Sequence, residues 1–181
     1  TNDTVLVPAG ESPTGIAANP VTNKIYVANA RWDMTVIDGA TNTVRSVPAS
    51  GNARNVVVDL ITNRVYAGVY GFPLAYVMVV DGAADTVCAR VTLGTDDPYH
   101  LAVNPVANKV YAGCAGRRLF VIDGRAGDTT SFQLNGDVCG VAANPVTGQA
   151  FALSSGTTVL NATQYGVSHS AFAPFVTNAH E

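Results

Sequence analysis

The sequence predicts an all-β protein made of four consecutive units, each with four short strands. A segment close to Asn-Pro-Val-Thr-Asn, followed by a strand-like run, returns four times within 181 residues. Aligned on Asn19, Asp59, Asn104 and Asn144, the copies are 40, 45 and 40 residues apart. Short runs of β-branched and aromatic residues alternate with Gly, Pro, Asn and Asp, a pattern of strands and turns. Repeats of this length with several strands each are typical of β-propellers.

Each unit is predicted to hold its strands in the same order. In the first copy, "GIAANP" is a short apolar run and indicates a buried inner strand. The turn "PVTN" follows, where Pro fixes φ and Asn accepts backbone hydrogen bonds. "KIYVAN" and "MTVIDG" are the second and third strands, and an Asp-Gly turn ends the third. "NTVRSVPA" is more polar and is predicted to be the outer strand.

The boundaries follow from this order. The units are predicted at 12–50, 51–94, 95–135 and 136–163. Residues 1–11 read "TNDTVLVPAGE" and match the end of a unit, "TNTVRSVPASG", so they are predicted to be an outer strand that completes another blade. Residues 164–181 are predicted to be a C-terminal strand or tail. A β-sandwich is the structural rival, and the return of the whole four-strand unit argues against it.

Four units leave the closure of the ring open, because propellers have typically four to eight blades. The chain closes alone with four blades, or it is a piece of a longer protein, or two chains join in one ring. Self-association as a homodimer that closes the ring is the first expectation, since two-fold symmetry is the commonest in oligomers.

Composition excludes several partners. Charged residues make up 13% of the chain and the net charge is −3, so there is no basic field to attract nucleic acid. The longest apolar run is far shorter than the roughly 20 residues that span a membrane, and membrane insertion is not expected. The recurring Asp38, Asp81 and Asp123, with Asn19, Asn104 and Asn144, are expected to cap turns and not to bind a ligand.

The variable loops at one mouth of the predicted ring hold the candidate site. They carry Arg31, Trp32, Arg54, Tyr70, Tyr99, His100 and Arg117. Arginines there would hold an anion by paired hydrogen bonds, and the aromatic rings would stack on a sugar or an aromatic ligand. His100 is the only catalytic candidate at the mouth, as a general base. The alternative is that all seven are solvent-facing loop residues without a ligand.

The three cysteines and three histidines form no metal-ligand motif, and neither a metal nor a cofactor is predicted. Cys114 and Cys139 are predicted near the same mouth in adjacent units. They would form a disulfide if their Cα atoms lay about 4.4–6.8 Å apart. The alternative is three small, half-buried free thiols.

The run "NKIYVAN…VIDGATNTV" resembles the YVTN family of β-propeller repeats, whose named tetrapeptide here reads Tyr26-Val27-Ala28-Asn29. Such repeats are similar to those of surface-layer propellers, streptogramin-inactivating lyases, lactonases and the haem d1 domain of nitrite reductases. The resemblance implies a propeller, usually of about seven blades. In the lyases, histidines and an acidic residue surround a metal, and only His100 could match such a site here. No CxxCH motif supports haem.

Three functions are therefore weighed. The first is a rigid binding or interaction module that holds a small molecule, a glycan or a protein at its mouth. The first alternative is a lyase or hydrolase that acts on a lactone, ester or glycan at that mouth. The second alternative is a self-assembling structural protein like those of surface layers. The low charge, the many Thr and Asn residues and the resemblance favour a periplasmic, cell-surface or secreted protein of bacterial or archaeal type.

Overall fold

The structure, a computed structural model, describes residues 4–154 and, for the backbone, 159–161. Its regular secondary structure is entirely β, in four small antiparallel sheets. The all-β prediction is therefore confirmed, with sheets that repeat along the chain. The predicted tail at 164–181 lies outside the described residues.

The strands follow the order that the repeat predicts. The first sheet comprises β1 (Pro13–Asn19), β2 (Lys24–Asn29), β3 (Asp33–Asp38) and β4 (Val44–Pro48), and the second comprises β5 (Asn52–Asp59), β6 (Arg64–Tyr70), β7 (Ala75–Asp81) and β8 (Thr86–Gly94). The third sheet comprises β9 (Pro98–Asn104), β10 (Lys109–Cys114), β11 (Arg118–Asp123) and β12 (Thr129–Gln133), and the fourth comprises β13 (Val138–Asn144), β14 (Gln149–Ser154) and β15 (Val159–Asn161). Within the described part of the chain, the fourth sheet thus lacks an outer strand.

The sheets pack face to face through three apolar interfaces, which we call joints. The first joint lies between the first and second sheets and includes Tyr26, Met34, Val65 and Met78. The second and third joints connect the following sheets in the same way. Because side chains alternate along a strand, one set of positions faces the next sheet and the other set faces the previous one. Tyr26, Tyr66 and Tyr111 hold the same place on β2, β6 and β10 and are at most 1% exposed.

The sheets have two different ends. At one end, which we call the turn end, the hairpin between the first two strands of a sheet and the Asp-Gly turn after its third strand recur. We call the opposite end the loop end. Asn19 Oδ1 accepts hydrogen bonds from the Val21 and Thr22 amides, and Asp81 Oδ1 accepts them from Ala83 and Ala84. Asp38, Asp123, Asp59, Asn104 and Asn144 cap their turns in the same manner. The expected capping role is confirmed.

The sheets do not close into a ring within the described residues, and no joint connects the fourth sheet to the first. Residues 4–12 belong to no sheet, whereas the sequence predicted an outer strand over 1–11. The physical reason is that a strand needs a neighbour to pair with. Among the described residues, no strand pairs with this segment, and its Gly10 amide donates instead to Thr35 Oγ1 at 2.9 Å.

Candidate functional site

The loop end of the sheets is shaped by a β-bulge at the same place in each inner strand. The registers of β1, β5, β9 and β13 with their partners each skip one residue. The extra residues are Thr14, Arg54, Tyr99 and Cys139. Bulges redirect side chains and are frequent beside functional sites. Two of the predicted site residues, Arg54 and Tyr99, are therefore positioned by a repeated feature of the backbone.

Arg54 is the centre of a cluster that joins the second and third sheets. Its guanidinium carbon lies 5.8 Å from the centroid of the Tyr70 ring and 5.0 Å from that of Tyr99. Its Nη2 atom is 3.3 Å from Asp97 Oδ2. Such distances allow cation–π attraction. The structure thus brings together three predicted site residues, Arg54, Tyr70 and Tyr99.

Asp97 was not predicted as a site residue. Burial raises the pKa of its carboxyl, and the Arg54 charge and hydrogen bonds from Tyr99 and Arg54 oppose that rise only in part. Asp97 Oδ1 and Arg54 Nε are buried without a hydrogen-bond partner in the structure. Because the Arg54 guanidinium pairs with Asp97, it is already engaged within its own chain. This pairing argues against the prediction that Arg54 binds an anion from solvent. The Asp-Asp-Pro run before β9 was the only sequence signal for Asp97.

Exposed apolar side chains surround this cluster. Tyr70 ends β6 and is 43% exposed, and Phe72 and Leu74 follow that strand and are 97% and 47% exposed. Tyr99 is 41% exposed. We call these four residues the loop-end patch. Phe72 and Leu74 were not among the predicted site residues. Trp32, at the corresponding loop of the first sheet, is 64% exposed.

The remaining predicted arginines lie elsewhere at this end. Arg31 forms an exposed ion pair with Glu11, with Nε 3.5 Å from the carboxylate oxygen. Arg117 is exposed and has a left-handed backbone, as does Trp32, with φ of 61° and 68°. The carbonyls of Trp32 and Arg117 accept hydrogen bonds from Ala49 and Leu134 at 2.8 and 2.7 Å. These two residues therefore hold matching loop corners, and no contact joins them to Arg54.

His100 does not join the Arg54 cluster. It is half-buried, and burial lowers the pKa of its imidazole. Leu101, the next residue, packs in the second joint, so alternation directs His100 toward the fourth sheet. The third sheet thus separates His100, directed toward the fourth sheet, from Arg54, which lies on the second sheet.

The cysteines are free thiols in this structure. Cys114 is buried within the second joint, and burial raises the pKa of its thiol to about 12. Cys139 is exposed on the fourth sheet. The disulfide considered between them is not formed, because Cys114 faces the second sheet and not the fourth.

The part of the chain that the structure describes contains no cluster of three or more His, Cys, Asp or Glu side chains that could hold a metal. No helix of sufficient length and apolar character to cross a membrane occurs in residues 4–154 and 159–161.

Comparison of the sequence with models of protein families finds no match. No curated protein matches it either. The resemblance to YVTN repeats therefore depends on the repeated residues themselves.

Proposed function

We propose that the four sheets are blades of a β-propeller and that the protein is an extracytoplasmic interaction module. The loop-end patch would hold a segment of a partner protein. The scaffold is rigid because each joint is apolar and each turn is capped. Variable loops on such a scaffold are the usual place for recognition.

The loop-end patch carries this proposal. Two exposed tyrosine rings at the ends of β6 and β9 flank an internally paired arginine, and Phe72 and Leu74 lie in the loop that follows β6. Clustered exposed apolar residues mark interaction sites. Tyr and Arg are enriched where partners contribute most binding energy. At the turn end, by contrast, the exposed apolar residues of the inner hairpins are aliphatic and none is aromatic: Val21, Leu60, Ile61, Val106 and Val146.

A protein segment fits the patch better than a small anion. Arg54 already pairs with Asp97, so its charge is largely offset. Phe72 and Leu74 are apolar without a polar atom on the side chain, and they offer area for apolar burial and no directed hydrogen bond. Burial of such side chains contributes roughly 1.5–3 kcal/mol each when complete.

The lyase or hydrolase alternative receives no specific support. It required His100 beside an arginine and an acid, and His100 is directed away from Arg54 and Asp97. Two clefts among the described residues lie elsewhere: one borders the first sheet and the other lies near Lys24 and Asp85.

A displayed peptide library selected on the wild-type protein tests the proposal. Selected peptides are expected to lose at least about tenfold in affinity, or 1.4 kcal/mol, when Phe72 or Tyr99 is replaced by Ala. The matched controls are Ile61→Ala and Val106→Ala, which remove side chains that are 67% and 70% exposed at the turn end. Equal binding to all variants, or dependence on the turn-end residues alone, would contradict the proposal.

A further inference from the structure

A cleft of about 390 Å³ lies between the N-terminal segment and the first sheet. Val7 and Ala9 form one side of it, and Ile16, Val27 and Ile37 of the first sheet form the other. Ile16 is 71% exposed. The cleft is on the face of the first sheet that would receive a preceding sheet.

The segment at 4–9, which we call the entry segment, lies where the outer strand of a preceding sheet would lie. The stretch "VPA" at Val7 is repeated 40 residues later at Val47, at the end of β4. Val47 and Ala49 are 3% and 0% exposed and pack in the first joint against the second sheet. Val7 and Ala9 face the first sheet in the corresponding manner. The entry segment thus has the position of an outer strand, and no sheet of the described residues includes it.

The fourth sheet presents the complementary face. Phe151 takes the place of Tyr26, Tyr66 and Tyr111, yet it is 36% exposed where they are at most 1% exposed. Leu153, two residues on, is 52% exposed. Asn144 is exposed as well, although the equivalent Asn19, Asp59 and Asn104 are at most 1% exposed. Every one of these positions is buried by the next sheet in the internal joints.

The polar residues at the two open faces also match. In the first joint, Lys24 Nζ lies 2.9 Å from Gly82 O and from Asp85. The equivalents at the open faces are Gln149 and Asn42, and both are neutral. A joint between the fourth and first sheets would therefore leave no unpaired charge at this place, which would otherwise be costly.

We propose that the fourth sheet of a second copy of this chain docks on the first sheet. Phe151 and Leu153 of each copy enter the cleft of the other, and the entry segment pairs with β15 as the fourth strand of the other copy's fourth sheet. Leu153 is larger than the equivalent Ala28, Gly68 and Gly113, so this joint is wider at its loop end than the internal ones.

A second copy is the occupant that the geometry favours. Each chain has two complementary faces, the outer face of its fourth sheet and the cleft face of its first sheet. In a two-fold dimer, each face meets the complementary face of the other chain, and the eight sheets form a closed ring. The interface continues the pattern of the three internal joints. This inference rests on the blade architecture proposed above and not on the partner at the loop-end patch.

Light scattering after size exclusion, over a wide range of concentration, tests the inference. The wild type is expected at twice the 18.7 kDa mass of one chain. Leu153→Asp and Val7→Asp, on opposite sides of the interface, are expected at the mass of one chain. Val146→Asp is the matched control, since Val146 is 92% exposed at the turn end of the same fourth sheet, and it should remain a dimer.

Each variant is checked by circular dichroism for an unchanged β spectrum. A wild type that has the mass of one chain at every concentration would overturn the inference, as would a dimer that survives both substitutions. Peptide binding at the loop-end patch is measured separately on the single-chain variant. Its loss would bear on the proposed function and leave the dimer untouched.

Discussion

Equivalent side chains are buried in the three internal joints and exposed at the two open faces, which are the outer faces of the first and fourth sheets. Tyr111 is buried by the fourth sheet, whereas Phe151, one repeat later, is partly exposed. Asn104 is fully buried, and Asn144 is exposed. The difference shows that a repeat of this kind cannot bury its own faces and depends on the next repeat. The end repeats therefore need a neighbour that the described residues do not provide.

The largest effect is expected from truncating the aromatic side chain inside a joint. Tyr111→Ala removes a ring that is 1% exposed and should lower the free energy of unfolding by about 3–5 kcal/mol, as for buried aromatic residues. Phe151→Ala, measured in the single-chain variant Val7→Asp, should cost only about 1 kcal/mol, because much of its surface is already in water. Urea denaturation compares them. Equal losses would show that the two positions do not differ in environment.

The polar contact at the turn end of the joints gives a second test. In the first joint, Asn19 Nδ2 donates to Asn63 Oδ1 at 2.8 Å. In the second joint, the equivalent Asp59 and Asn108 present oxygens that have no donor. Asp59→Asn supplies the donor and should raise the free energy of unfolding by about 1 kcal/mol. Asp59→Ala is the control and should destabilise. No gain from Asp59→Asn would show that the second joint satisfies these oxygens in another way.

In the third joint, a buried donor lacks an acceptor, which is the reverse of the second joint. Asn104 Nδ2 is buried without an acceptor, since Gly148 stands where Asn23, Asn63 and Asn108 stand in the other hairpins. Gly148 has a φ of 74°, and those asparagines have φ of 50–52°. A Cβ at Gly148 meets no atom within 4 Å. Gly148→Asn should therefore add about 0.5 kcal/mol to the stability. Gly148→Ala, which brings no acceptor, should not, and thermal unfolding distinguishes them.

The smallest expected effect on stability at neutral pH concerns the buried phenol of Tyr26. Burial, with the nearby Asp85 carboxylate, raises the pKa of Tyr26 to about 12. Between pH 10 and 12, the native state then holds a proton that the unfolded state has lost, so stability is full below pH 10 and falls as the pH rises to 12. Tyr26→Phe should reduce this alkaline loss. Urea denaturation below pH 10 and near pH 12 compares the two proteins, and an equal alkaline loss in both would contradict the prediction.

The elements that repeat could be predicted from the sequence. Four copies of one pattern specify strands, turns and the capping role of residues such as Asp81, because each depends on local spacing. Contacts between sheets could not be predicted in this way. Asp97 beside Arg54 and Cys114 turned toward the second sheet depend on which face of a strand meets which neighbour. The bulges at Arg54 and Tyr99 shift that alternation by one residue, and no local pattern marks them.

The most direct test of the account is amide hydrogen exchange at Val5, Leu6 and Val7 of the entry segment, measured at low and high protein concentration. Within the part of one chain that the structure describes, these residues have no strand partner. We expect fast exchange when the chains are separate and slow exchange when they associate, with protection lost in Leu153→Asp. Fast exchange at every concentration would contradict the claim that a second copy continues the joints of the first.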